Sequence, residues 1–235
     1  MPGKKVKPLR HSTKGGYARG DETRQRIVDA ALDVFGEQGF DAATTRQIAM
    51  RAGVNTPALQ YYFENKEGLY LACAESLVDE SQPHFQPLLE QIQKLDSQAG
   101  IDECTELFCQ LMETMLDRIF CAQHSLNKRL FHARIQLGQG PERAFTLMRE
   151  KLGRGLHDAG AKLIAHVSQT SPEDEQTQLR VLALFGQVAM LHIMRRSVLD
   201  QLNWQEVDKK KLASLKVMTR EQCTTLLRSW RPNNH

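Results

Sequence analysis

Asp117, Cys121 and His124 recur at i, i+4 and i+7, so one face of a helix would carry a carboxylate, a thiol and an imidazole. That set can hold a soft divalent metal. The alternative is the polar edge of an amphipathic helix beside a buried thiol, since free cysteine packs as a small hydrophobe. The second reading is favoured, and no metal is expected. His132 and Arg134 flank the end of a predicted helix, placed either to meet an anionic group or to make a surface or intersubunit contact, the latter being preferred. Phe108, Met112, Met115, Phe120 and Phe131 can wall an apolar cavity or simply fill a core. Phe108, Met112, Met115 and Phe131, with Arg134, are the candidate lining of a small-molecule site. The chain has no Gly-rich phosphate loop, HExxH or nucleophile motif, so no catalytic residue and no cofactor are expected.

Helices must position these groups, and apolar periodicity supplies them along the chain. A helix is predicted from Asp21, with Ile27, Ala31, Val34 and Phe35 on one stripe and Gly39 at its end. A second starts at Thr44 or Thr45, where Thr44 and Gln47 have capping-box spacing. Ile48, Ala49 and Ala52 face inward, and Gly53 stops it. Asn55 or Thr56 caps a third helix with Pro57 in its first turn and Leu59, Tyr62 and Phe63 inward. Asn65 caps a fourth. Beyond Pro83 and Pro87 the pattern stays helical: a stripe from Ile101 to Ile119, a helix over about 125–137, another from Pro141 to about 168, and two more over about 173–198 and 206–229. No segment alternates with period two beside a turn signal, so the predicted fold is all-α. Leu182, Phe185, Ala189, Leu215, Leu226 and Leu227 on the last two helices are available for a four-helix bundle between two subunits, which predicts a homodimer.

The 235 residues, 41% hydrophobic and 25% charged, suffice for one large helical domain and a small appended one. Net charge is only +3, but residues 1–20 hold six basic groups and no acidic one. The predicted organisation is a flexible basic arm at 1–20, a small domain at 21–66 and a larger one at 67–235. Positive charge near the N-terminus suits a polyanion partner. The five cysteines are odd in number and form no CxxC, so disulfides and structural zinc are not expected and a cytoplasmic location is. The basic N-terminus lacks a following apolar run, so a signal peptide is not expected. No stretch approaches the roughly 18–20 apolar residues that span a bilayer, so no membrane partner is expected.

Residues 44–63, TTRQIAMRAGVNTPALQYYF, pattern as two short helices joined by a Gly-Val turn, a helix-turn-helix that braces one helix against a DNA major groove. The wider segment AALDVFGEQGFDAATTRQIAMRAGVNTPALQYYFENKEGLY resembles the N-terminal signature of the TetR family. The shared positions include Phe35, Gly39, Phe40, Thr44, Thr45, Ile48, Ala49, Ala52, Gly53, Val54, Tyr62, Phe63, Lys66, Glu67 and Leu69. The resemblance implies an N-terminal three-helix DNA-binding domain, a larger helical ligand-binding and dimerisation domain, and three partners: a double-stranded operator, a second copy of the chain and a small-molecule effector. By position it implies that Thr45 caps the second helix and touches a phosphate, and that Arg46 reaches bases or phosphates. Asn55, Thr56, Pro57, Gln60 and Tyr61 fall at the DNA-facing helix, and Lys66 holds a phosphate. Arm residues Lys14 and Arg19 would meet the DNA backbone. Gln60 departs from the Tyr common in the family, and its amide can pair with adenine. Residues 133–148, ARIQLGQGPERAFTLM, resemble a segment of the CecR-type subfamily, which implies control of transport genes that alter drug sensitivity. Ile135 replaces the usual acidic residue there, and a Gly-Gln-Gly loop replaces a shorter polar link.

Overall fold

The computed structural model describes residues 15–96, 98–120 and 125–232. Lys14, Cys121 and His124 lie outside them, so the Asp117–Cys121–His124 triplet is described only at Asp117. Helix α1 runs Gly15–Ala42, earlier than the predicted cap at Asp21, and the arm expected over 1–20 is therefore helical from Gly15 onward. Gly39 interrupts the regular turns where predicted, with φ 81 and ψ 176, a backbone that glycine adopts without strain. Helices α2 (Thr45–Arg51), α3 (Thr56–Tyr62) and α4 (Lys66–Gln93) follow, α4 passing through Pro83 and Pro87. Next come α5 (Ile101–Phe120), α6 (Leu126–Gln136), α7 (Glu142–Met148) and α8 (Arg154–Ser168), a π-helical turn over Arg149–Gly153 joining the last two. The helix predicted to reach about 198 instead ends as α9 (Glu175–Ile193). At Met194 the chain bends by 79° into α10 (Arg195–Gln201), before α11 (Lys209–Ser229). The fold is all-α, with no strand among the described residues. Among them no single helix is long and apolar enough to cross a membrane.

Two apolar cores share α4. The N-terminal core gathers Ile27 and Phe35 of α1, Ile48, Leu59 and the first half of α4 around Leu69 and Tyr70. Phe131 and Ile135 of α6 and Ala144 of α7 complete it. The second core packs Phe85 and Ile92 of α4 with Phe108, Leu163, Leu184 and Leu227. Full burial of one such large side chain contributes about 1.5–3 kcal/mol, so Phe131 and Ile135 bind the two parts of the chain firmly together. The boundary predicted after residue 66 marks the start of α4, but packing continues across it.

Helices α1 and α6 approach backbone to backbone at Gly36. A Cβ at that position would lie 2.8 Å from Asn127 Cα and closer still to its carbonyl, so only a glycine admits the approach. Arg134 fastens the same junction. Its Nε donates to the Gly36 carbonyl at 3.2 Å, Nη2 to that of Glu37 at 3.4 Å, and Nη1 to Gln139 Oε1 at 3.1 Å.

Several residues expected to face a partner subunit do not. Leu215 and Leu227 are buried in the second core, Leu226 packs against it, and Phe185 stacks on Phe108 at 6.2 Å between ring centroids. Leu182 and Ala189 are exposed. The helical period explains the difference: the apolar residues of α9 split between an inward stripe at Val181, Leu184 and Val188 and an outward one at Leu179, Leu182, Met190 and Ile193.

Candidate nucleic-acid interface and cavity

The helix-turn-helix is held by three local caps. Thr44 and Gln47 form the predicted capping box: Gln47 N donates to Thr44 Oγ1 at 3.2 Å and Thr44 N to Gln47 Oε1 at 2.9 Å. Thr44 is therefore the cap, and Thr45, expected to cap, is the first residue inside α2. Asn55 Oδ1 accepts from Ala58 N at 2.8 Å and caps α3, with Pro57 in its first turn. Asn65 Oδ1 caps α4 through Gly68 N at 2.8 Å. Gly53, at φ 67, turns the chain between α2 and α3. With Ile48, Ala49, Leu59 and Phe63 buried, the periodicity pushes Arg46, Pro57, Gln60 and Tyr61 outward; Tyr61 is 84% exposed. Pro57, Gln60 and Tyr61 stand at i, i+3 and i+4 on one face of α3, and Thr56 and Thr45 are half-buried at its edge and at the start of α2.

Lys66 does not join that surface. Its Nζ donates to the carbonyls of Phe40 at 2.8 Å, Ala43 at 3.2 Å and Asp41 at 3.3 Å, and it lies 4.5 Å over the Phe40 ring. Those carbonyls are left open where Gly39 breaks α1, and an ammonium with three protons meets all three. The ammonium of Lys66, which the resemblance implies holds a phosphate, is here engaged as a clamp on the end of α1. Nearby, Arg51 Nη1 pairs with Glu37 Oε1 at 2.8 Å, and this hydrogen bond holds the Glu37 carboxyl below its ordinary range.

A cavity of about 720 Å³ lies between α4, α5, α6, α7, α8 and α9. Of the predicted lining, Met115 faces it. Phe108 and Met112 are fully buried in the second core, Phe108 behind the lining residue Phe185. Phe131 stands in the N-terminal core, 4.6 Å from the Tyr70 ring, and Arg134 clasps α1 instead. Helix geometry is the reason. On α6 the cavity is lined by Lys128 and by Arg129, His132, Ala133 and Gln136, the last four spaced i, i+3, i+4 and i+7, whereas Asn127, Phe131 and Arg134 fall on the side toward α1. On α5 the lining moves from the 108–112 stripe to Met115, Arg118 and Ile119. Phe85, Phe145, Met148 and Phe185 add apolar wall. They lie on three helices distant in sequence, α4, α7 and α9, and no local pattern joins them; His132 is the one cavity residue of α6 that its type marks in the sequence. Among the described residues no group of His, Cys, Asp and Glu is arranged to hold a metal.

Residues 27–73 match the family model for bacterial regulatory proteins of the tetR family, and residues 104–229 match the C-terminal domain of the HTH-type transcriptional dual regulator CecR. The chain is 32% identical over 195 residues to the dual regulator CecR of Shigella flexneri, covering 82% of this chain and 86% of that protein. It is 44% identical over 61 residues to the class A tetracycline repressor of Escherichia coli, where the likeness covers 26% of this chain and 28% of the repressor. Among solved structures, a TetR-like regulator from Rhodococcus shares the fold with a TM-score of 0.58 at 18% identity, over 86% of this chain and 96% of that one. The regulator FadR of Bacillus halodurans does so with a TM-score of 0.55 at 18% identity, over 85% and 96%.

Proposed function

The chain belongs to the TetR family of bacterial transcriptional regulators, with a CecR-type C-terminal domain, and from that premise we propose that it is a homodimer released from its operator by a small, mainly apolar molecule bound in the cavity. It is a DNA-binding regulator and not an enzyme. In the proposed complex, Arg46, Thr56, Pro57, Gln60 and Tyr61 meet the major groove, Thr45 meets phosphate, and Asn55 supports the start of α3. The likeness to a dual regulator supports action as a repressor or dual regulator in the cytoplasm. The resemblance of residues 133–148 extends the proposal to transport or drug-sensitivity genes.

The observation that carries the effector reading is α6. One face of this helix walls the cavity, and the other grips the end of α1 through Gly36, Phe131 and Arg134. A ligand that moves α6 therefore moves α1, and with it the helix-turn-helix packed on α1. Such a ligand must bind the DNA-free form better, by a coupling of about 1–3 kcal/mol. An accessory DNA-binding protein without an effector needs neither the cavity nor this two-sided helix. The test is a screen of antibiotics and aromatic metabolites, reading melting temperature and operator affinity together. At least one compound is expected to raise the first and lower the second. Stabilising compounds that all leave operator binding unchanged would favour the effector-free reading.

A further inference from the structure

The cavity is apolar along much of its wall but strongly one-signed in charge. Among the described residues, five Arg and Lys side chains line it against a single carboxylate, Asp158. Just behind the lining, Glu80 is shared between two of those cations, 3.3 Å from Lys128 and 3.7 Å from Arg118. Positive charge is thus in excess: Arg149 and Arg154 are exposed at the rim, while Arg118, Lys128 and Arg129 are half-buried beside the apolar wall of Phe85, Met115, Phe145 and Phe185, where charges are screened less than in open solvent. Three of the polar lining groups, Lys128, Arg129 and His132, belong to α6.

From this distribution we infer that the effector is an amphipathic anion, an apolar or aromatic body carrying a carboxylate, sulfonate or phosphate that is read by the Lys128–Arg129–His132 face of α6. The inference rests on the proposed effector role of this cavity. A guanidinium presents a planar fork that matches such oxyanions, and a partly buried cation gains most from a ligand that brings its own counter-charge. The surrounding field agrees: burial draws the Arg129 guanidinium below its ordinary value, and Arg195 is lowered by burial and then by the charge of Arg129. The neutral ends of the body lie against the phenyl and thioether wall. Because the anion is held by the helix that grips α1, the charged end of the ligand, rather than its bulk alone, is what pulls on the DNA-binding domain.

Two fluorescent probes of nearly the same body separate charge from bulk: the anion anilinonaphthalenesulfonate and the neutral N-phenylnaphthylamine. Each is titrated into the full-length protein. The anion is expected to bind about tenfold or more tightly than the neutral probe, the margin of a charge-assisted hydrogen bond. Arg129→Gln should bring the two affinities within about twofold of each other while leaving neutral-probe binding in place, and Arg129→Lys should keep most of the preference. Retained neutral-probe binding shows that the variant is folded; if Arg129→Gln loses it, Lys128→Gln is read in its place. Equal or tighter binding of the neutral probe to the unaltered protein overturns the inference. So does a preference for the anion that survives in the Arg129→Gln, Lys128→Gln double variant, since the anion would then sit elsewhere. Operator affinity measured in the same samples separates the two proposals. Anion binding in the cavity that leaves operator affinity unchanged overturns the effector reading while the anion site stands. Release from operator by both probes alike overturns the anion inference while the effector reading stands.

Discussion

Lys66 and Gln60 sit six residues apart and illustrate how position, rather than residue type, decides what a polar group does. The Lys66 ammonium closes the carbonyl end of α1 with three hydrogen bonds and a ring contact. Lys66→Met is therefore expected to destabilise the N-terminal core by about 1.5–3 kcal/mol, the net worth of hydrogen bonds to a charged donor. It should leave the salt dependence of DNA binding by the remaining folded protein near its original slope. Thermal melting and a salt titration check both halves; a flattened slope with unchanged melting would restore Lys66 to the phosphates. Of the two exposed cations on α2, Arg51 is paired with Glu37, so Arg46→Ala is the change that should flatten that slope by roughly one unit. Gln60 carries no charge and stands outward beside Tyr61. Gln60→Ala should cost about 1–3 kcal/mol on the cognate operator and relax preference at one base pair, at a constant salt slope. Unaltered preference on scrambled duplexes would reduce Gln60 to a backbone contact and move base reading to Arg46, Thr56 or Tyr61.

Helices explain what the sequence could and could not reveal. The helix-turn-helix was legible because each of its decisions is local: Thr44 with Gln47, Asn55 with Ala58 and Asn65 with Gly68 are all three residues apart. Gly39 and Gly53 mark their breaks by residue type. The end of α9 was not legible, because neither Gly nor Pro stands at Met194, where the chain bends. The junction of α6 with α1 was hidden for a different reason. Gly36 reads as a weak helix residue, and its partner Asn127 lies far along the chain. The pocket residues of α6 share their helix with core and clasp residues, and less than one turn of rotation separates the three roles. The junction itself is testable. Gly36→Ala places a methyl against the Asn127 backbone, which has no rotamer to yield, so α6 must shift away from α1. Overpacking of this kind costs about 1–3 kcal/mol. The variant should melt lower and show weakened coupling between cavity ligand and operator, even though residue 36 touches neither. Melting and coupling both equal to those of the unaltered protein would mean that the two helices do not meet this closely.

At the scale of the molecule, a cavity that controls DNA binding is useful only if two recognition helices are held at a defined separation, because a two-fold operator presents half-sites about one helical turn apart. In the proposed homodimer, the outer face of α9 is the surface available for that purpose. Leu179, Leu182, Met190 and Ile193 are 47–58% exposed at spacings that keep them on one stripe, and a Cβ at Gly186, between them, would touch nothing within 4 Å. Val217 and Met218 add an exposed apolar pair on α11. An apolar stripe of this length on an isolated subunit is a mark of association, and obligate dimers bury roughly 2,000 Å² or more. Leu182, Ala189 and Ile193 also line the cavity, so a substitution at any of them would disturb ligand and partner together. Met190 is 52% exposed and stands outside the lining, which makes it the cleaner probe. In the proposed dimer, Met190→Arg would bring a guanidinium from each subunit onto the apolar stripe, where neither finds a counter-charge. Sedimentation should show a monomer whose helical content is unchanged. Operator affinity should fall by orders of magnitude, since one subunit then contacts one half-site, while probe binding in the cavity should persist. A variant that still sediments as a dimer would place the interface elsewhere, with the exposed face of α11 as the next surface to test.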